Sequence, residues 1–162
     1  MKLDEARAGL PLEPPLDFLQ HLWQLNHALE RRSLQMERTL GVTAQQRLFV
    51  RCIGKYPGIT AGQLATVLHL DRGTVSVGLR RLAKKGVLTR RRDPRDSRRV
   101  ALGLTSKGRG MDRPHPSTVE FAVKRVMRKV SSQDLERVKA VLSRLAEALA
   151  EKVETGSERR DR

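Results

Sequence analysis

Residues 60–104 read TAGQLATVLHLDRGTVSVGLRRLAKKGVLTRRRDPRDSRRVALGL, and the stretch changes its periodicity at Gly86. Before that glycine, apolar positions recur at steps of three and four: Leu64, Ala65 and Leu68, then Val75, Leu79 and Leu82. This is the pattern of helices with one buried side. Thr60 with Gln63 three residues on forms a capping box for a short helix over 61–68, and Asp71 caps a second helix running to about Lys85. Only His69 and Leu70 remain between them for a tight turn. Beyond Gly86, residues 87–90 and 100–104 read as two short strands. The polar loop between them, R-R-D-P-R-D-S-R-R, has turn chemistry at Asp93-Pro94 and Asp96-Ser97. The expected product is a β-hairpin with a basic tip.

Working outward, Thr43 and Gln46 form another capping box, opening a helix through Leu48, Phe49, Val50 and Ile53 to Gly54, with Tyr56-Pro57-Gly58 as the break. Upstream, Leu19, Leu22, Asn26, Leu29, Ser33, Met36 and Leu40 make a helical stripe with Asp17 as its N-cap and Gly41 as its close. Residues 1–15, with Pro11, Pro14 and Pro15, lack periodicity and are expected to be a flexible leader. Downstream, Thr105 starts a helix that Pro114 and Pro116 must kink or break. It is expected to resume at Ser117 with Val119, Val123, Val126 and Val130 inward. A last helix opens at Ser132, and its Leu135, Val138, Leu142, Leu145, Leu149 and Val153 are spaced like a coiled-coil seam. The charged residues 156–162 are expected to form a disordered tail.

The chain has 162 residues, the size of one ordinary domain. It carries 33 Lys and Arg against 18 Asp and Glu, a net charge of +15. Residues 72–109 hold thirteen basic and two acidic side chains, so eleven of those fifteen charges fall within 38 residues. Such a concentration attracts a polyanion, and duplex DNA is the natural one because each neutralised phosphate releases counterions. With five aromatic residues, the core must be aliphatic. The single cysteine, Cys52, excludes an internal disulfide and reads as a packed, inert thiol. No apolar run is long enough to cross a bilayer and no secretory signal is visible, so a soluble, cytoplasmic protein is expected. His21, His27, His69 and His115 lack metal-ligand spacing, and no nucleophilic triad or phosphate-cradling glycine loop occurs. Neither an enzyme nor a metal or cofactor protein is indicated.

Short helix, tight turn, helix with a polar side, then a basic hairpin is the order of a winged helix-turn-helix. The fold class expected is mainly α with a small β-hairpin. An α-helix fits the DNA major groove, where base edges are distinguishable, and helix 72–85 offers Arg72, Thr74, Ser76 and Arg80 to it, with Arg81 a candidate for the phosphate backbone. The hairpin tip, with Arg95, Arg98 and Arg99, is the right size for the minor groove.

These residues resemble the MarR (multiple antibiotic resistance regulator) family of bacterial transcription factors. The resemblance lies in V-T-A-Q-Q at 42–46, Q-L-A-T-V-L-H-L-D-R-G-T-V-S at 63–76, R-L-A-K-K-G-V-L-T-R at 81–90 and R-R-D-P-R-D-S-R-R-V-A-L-G-L-T-S-K-G at 91–108. It implies that Arg98 enters the minor groove while Asp96 holds the wing arginines, and that Leu104, Thr105 and Gly108 open the next helix. It implies one domain over 16–155, with a DNA-binding lobe at 43–104 flanked by dimerisation helices at 16–40 and 105–155. The partners implied are a second copy of the chain and a pseudo-palindromic duplex operator, often with a small aromatic effector that relieves repression. Trp23 and His27, four residues apart on the first helix, are candidates for the effector pocket, with core packing the default for a lone tryptophan. The competing reading is an interaction module that docks on an acidic protein or RNA without reading operators.

Overall fold

The computed structural model describes residues 12–92 and 99–151. Residues up to Phe121 pack as one unit and those from Ala122 as a second, the division falling within a helix. In the first unit the elements run α1 (Pro14–Leu40), α2 (Ala44–Lys55), α3 (Ala61–Leu68), α4 (Arg72–Lys84), β1 (Leu88–Arg92), β2 (Val100–Leu104) and α5 (Ser106–Asp112). Helix α6 (Val119–Met127) carries the division, and α7 (Ser132–Ala150) lies in the second unit. The expected fold class, mainly helical with one antiparallel hairpin, is what the structure has.

The core sits among α2, α3, α4 and the hairpin. Val42, Phe49, Val50, Ile53, Leu64, Val75, Leu79, Leu82, Val87 and Leu102 are buried together, and Phe49 is the one buried aromatic. Its ring occupies the space a Cβ on Gly78 would need, 2.3 Å away, so α2 and α4 cross closely. At the turn between α3 and α4, His69 takes a left-handed conformation (φ 51°) with its N–H returned to Ala65 and Thr66. The reciprocal capping box at Thr60 and Gln63 is present.

The hairpin pairs Leu88 with Leu104 through to Arg92 with Val100. Leu88, Leu102 and Leu104 therefore share one face, while Thr89 and Arg91 share the other. The far edge of β2 is also engaged, since the Gly58 N–H donates to the Leu102 carbonyl (2.9 Å) and the Leu102 N–H to the Ile59 carbonyl (3.0 Å). At the hairpin base the Thr105 hydroxyl donates to the Gly86 carbonyl (2.7 Å) and accepts the Gly108 N–H (3.1 Å). A Cβ on Gly108 would stand 2.1 Å from the Val87 carbonyl oxygen, so only glycine lets α5 start this close to the hairpin.

Several boundaries differ from expectation. Helix α1 begins at Pro14, with Glu13 rather than Asp17 in the N-cap position and no side-chain cap bond, so Pro14 and Pro15 belong to its first turn rather than to a leader. Proline is tolerated there because the missing N–H would lack an intrahelical partner anyway. Thr43 does cap α2, accepting the Gln46 N–H at 3.2 Å, but the reciprocal half of the box is not formed. The Gln46 side-chain Oε1 accepts from Lys85 Nζ instead (3.0 Å). The two prolines break the chain outright: α5 stops at Asp112, and α6 begins at Val119 and ends at Met127, short of Val130. Helix α7 does open at Ser132 as expected, with Ser131 as its cap accepting the Asp134 N–H. Residues 1–11, 93–98 and 152–162, and with them the expected leader residues before Leu12 and the tail, lie outside the described residues.

Replacing Gly108 with Ala should cost about 2 kcal/mol or more, because the obstacle is backbone and cannot rotate away. Urea denaturation measures this; a midpoint equal to that of the parent chain would show that α5 is not held against Val87.

Candidate nucleic-acid interface

Helix α4 has two sides of opposite character. Val75, Gly78, Leu79 and Leu82 are buried, whereas Arg72, Ser76, Arg80 and Arg81 are exposed and Thr74 is half-buried. The helix starts on Asp71, whose Oδ1 accepts the Thr74 N–H at 2.7 Å and whose Oδ2 accepts the Thr74 hydroxyl. A hydroxyl has one proton to give, so Thr74 offers its surroundings a methyl group and an acceptor oxygen, not a donor. Those hydrogen bonds, the one from the Thr74 side chain foremost, hold the Asp71 carboxyl below its ordinary range.

Arg80 and Arg81 are not equivalent. Arg81 lines a cleft of about 240 Å³ between α4 and the start of α2, together with Thr43, Gln45 and Thr74. Arg80 does not line it. On the hairpin, Arg90, Arg91 and Arg92 are all exposed, as is Arg99 at the start of the returning strand. None of these arginines, nor Arg72, forms an ion pair with another described residue. Arg91 borders a second groove of about 460 Å³, where the outer face of the hairpin meets Gly54, Pro57 and Gly58. Arg109 also lines it, with its guanidinium donating to the Leu104 carbonyl and the Ser106 hydroxyl.

Five expected site residues on α4 are thus brought to one helix, and Arg99 lies at the hairpin. Arg95, Asp96 and Arg98 lie outside the described residues. Trp23 and His27 are not brought into a pocket: Trp23 is 59% exposed, against its expected place in the core, and His27 faces Glu30 at 3.7 Å. Neither lines either cleft. The residues that sequence reasoning passed over are Gln45 and the trio Arg90, Arg91 and Arg92. Their signal was available, since three consecutive arginines on an alternating strand put cations on both faces.

Cys52 is half-buried on α2 against the core. Burial pushes its thiol up, with Lys55 and Arg51 opposing more weakly.

Because the Asp71 carboxyl is depressed in the folded chain, its contribution to stability is complete above the ordinary aspartate range and fades as acid protonates it. Asp71→Ala should therefore melt below the parent at pH 7, with the gap closing as the pH falls through the carboxylate range. Thermal melts across pH test this; a gap independent of pH would remove the carboxylate from α4's start.

Comparison with known proteins agrees with this geometry. The MarR family model matches residues 42–100, from the start of α2 to the returning strand. The organic hydroperoxide resistance transcriptional regulator of Bacillus subtilis is 27% identical over 146 residues, covering 88% of this chain and 95% of that protein. A transcriptional repressor of Mycobacterium tuberculosis is 23% identical over 137 residues, covering 85% and 97%. Among solved structures, Streptococcus pneumoniae FabT in complex with DNA superposes with a TM-score of 0.59 at 27% identity, over 82% of this chain and 93% of that one. With the helix–turn–helix, the paired strands and the Thr105–Gly108 junction in place, the lobe over residues 42–100 matches the MarR family model, and the chain is similar over most of its length to transcriptional regulators.

Proposed function

We propose that this DNA-binding regulator acts as a cytoplasmic homodimeric repressor on a pseudo-palindromic duplex operator. The observation that carries the reading is the exposed basic side of α4, whose arginines pair with no described acid, on a helix whose other side is locked into the core. Arg72, Thr74, Ser76 and Arg80 read the major groove, while Arg81, set back in the cleft with Gln45, meets the phosphate backbone. Arg95, Arg98 and Arg99 reach the minor groove, with Asp96 steadying the wing. The DNA in the FabT complex supports this reading.

The homodimer is supported by apolar side chains left open outside the reading lobe. Phe18, Trp23 and Leu25 on α1, Val123 and Val126 on α6, and Val138, Leu142 and Leu149 on α7 are all exposed in the single chain. Two-fold pairing covers such stripes and presents two α4 helices to two half-sites. Occupying an operator in this way excludes other proteins from it, which is the basis for reading the regulator as a repressor. A small aromatic effector belongs to the same reading, and Trp23 and His27 contribute to its pocket only where a second chain covers α1. The peroxide chemistry in the B. subtilis relative's name is not carried over, because the one cysteine is half-buried against the core and burial pushes its thiol up, which disfavours the reactive thiolate.

Selection of bound fragments from random duplex DNA, followed by footprinting, tests the proposal: two protected half-sites are expected, and equal affinity for any polyanion would favour docking on RNA or acidic protein instead. On the selected duplex, Arg98→Ala should weaken binding by about 1–3 kcal/mol, and Arg81→Ala should reduce the salt slope by about one. Undiminished affinity removes the wing contact, and an unchanged slope removes Arg81 from the footprint.

A further inference from the structure

Among the described residues, Arg47 is the one buried charged side chain, only 3% exposed, and the DNA-facing surface makes no use of it. It projects from α2 onto the break between α5 and α6. Its Nε donates to Glu120 Oε1 at 2.7 Å, and its Nη2 donates to the Arg113 carbonyl at 2.7 Å. One helical turn further along α2, Arg51 Nη1 donates to Asp112 Oδ1 at 2.6 Å and to the Asp112 carbonyl. Asp112 is the last residue of α5, Arg113 its C-cap, and Glu120 the second residue of α6. Two arginines of the core helix therefore grip both sides of the break.

The break is a built turn. Arg113 is extended (ψ 145°), as the residue before a proline must be. The His115 carbonyl accepts both the N–H (3.2 Å) and the hydroxyl (2.7 Å) of Thr118, which is fully buried. The Ser117 N–H donates to His115 Nδ1 at 3.2 Å. An uninterrupted helix transmits its direction along its own backbone hydrogen bonds, but a proline break does not. The direction of the next helix is then set by side chains that hold it. An apolar residue at position 47 would fill the core without the desolvation cost of a guanidinium. It could not, however, hold a carbonyl on one side of the break and a carboxylate on the other.

The geometry points to Arg47 as a positioning residue: it fixes the first turn of α6 against the winged-helix lobe, and so sets the half-site spacing that the dimer accepts on DNA. This inference rests on the homodimeric reading above. Glu120, with 39% of its side chain exposed, is the partner to alter first.

The test uses the full chain, its Glu120→Ala and Glu120→Gln variants, and the selected operator with one or two base pairs inserted between half-sites. Size measurement and melting curves accompany each binding series. The parent and E120Q, which keeps an acceptor oxygen for Nε, should lose about tenfold in affinity per inserted step, whereas E120A should bind the series within about threefold. Arg47→Lys, which keeps the charge but loses the fork, should behave as E120A and replaces it if E120A does not fold. A folded, dimeric E120A that keeps the parent's spacing discrimination overturns the inference alone, as does one that weakens on every duplex alike. A monomeric parent overturns the homodimer and this inference with it.

Discussion

Three consecutive residues, Lys85, Gly86 and Val87, tie together most of the reading lobe. The Lys85 ammonium donates to the Gly41 carbonyl that ends α1 (2.7 Å) and to Gln46 in the first turn of α2. Its own carbonyl accepts from Lys107 on α5 at 2.8 Å. Gly86, with φ of 67°, turns the chain out of α4 and offers its carbonyl to Thr105. Val87 returns its N–H to Leu82, buries its side chain completely, and lends its carbonyl to the Thr105 N–H. The end of α1, the start of α2, the end of α4, the hairpin and α5 therefore share one crossing. The absent Cβ at Gly108 is what allows that crossing to close, because the contact there is with backbone.

The charges divide by what they touch. Arg47, buried, and Arg51, exposed, are engaged by the fold itself, each meeting a carboxylate and a carbonyl. The arginines of α4 and β1 meet no described acid and remain in solvent. Like charges held this close raise the energy of the compact state. A fold that tolerates them must recover the cost from its aliphatic core, or from a polyanion when one is bound.

Local chemistry made much of this legible before any coordinates. Caps at Thr60, Asp71 and Thr105 are short-range devices, written in residues three apart, and each stands where the sequence places it. The hairpin was legible from its change of period. What escaped depended on distant partners. Gln46 looks like half of a capping box until Lys85, 39 residues away, takes its oxygen. Arg47 looks like one more surface cation until Glu120, 73 residues away, meets it. Pro14 and Pro15 read as part of a leader because their tolerance in a first turn depends on which turn is first. For the wing tip, the sequence reading of Arg95, Asp96 and Arg98 stands on its own.

Trp23 illustrates the remaining kind of misreading. Helix α1 runs for 27 residues, roughly 40 Å at 1.5 Å per residue. Only its last turns meet the lobe: Met36 is fully buried, and the Ser33 hydroxyl accepts the Ala44 N–H at 3.0 Å. A lone tryptophan defaults to a core because burying so large an apolar surface is favourable, but that preference does not say which chain supplies the cover. Here Leu16, Phe18, Leu25 and Leu29 share the exposure of Trp23 along the first turns of the helix. A surface of that kind is stable in water when another copy of the same surface closes it. In the homodimer proposed above, the helices that look superfluous to DNA reading would be the ones that decide where on the duplex two reading helices can stand.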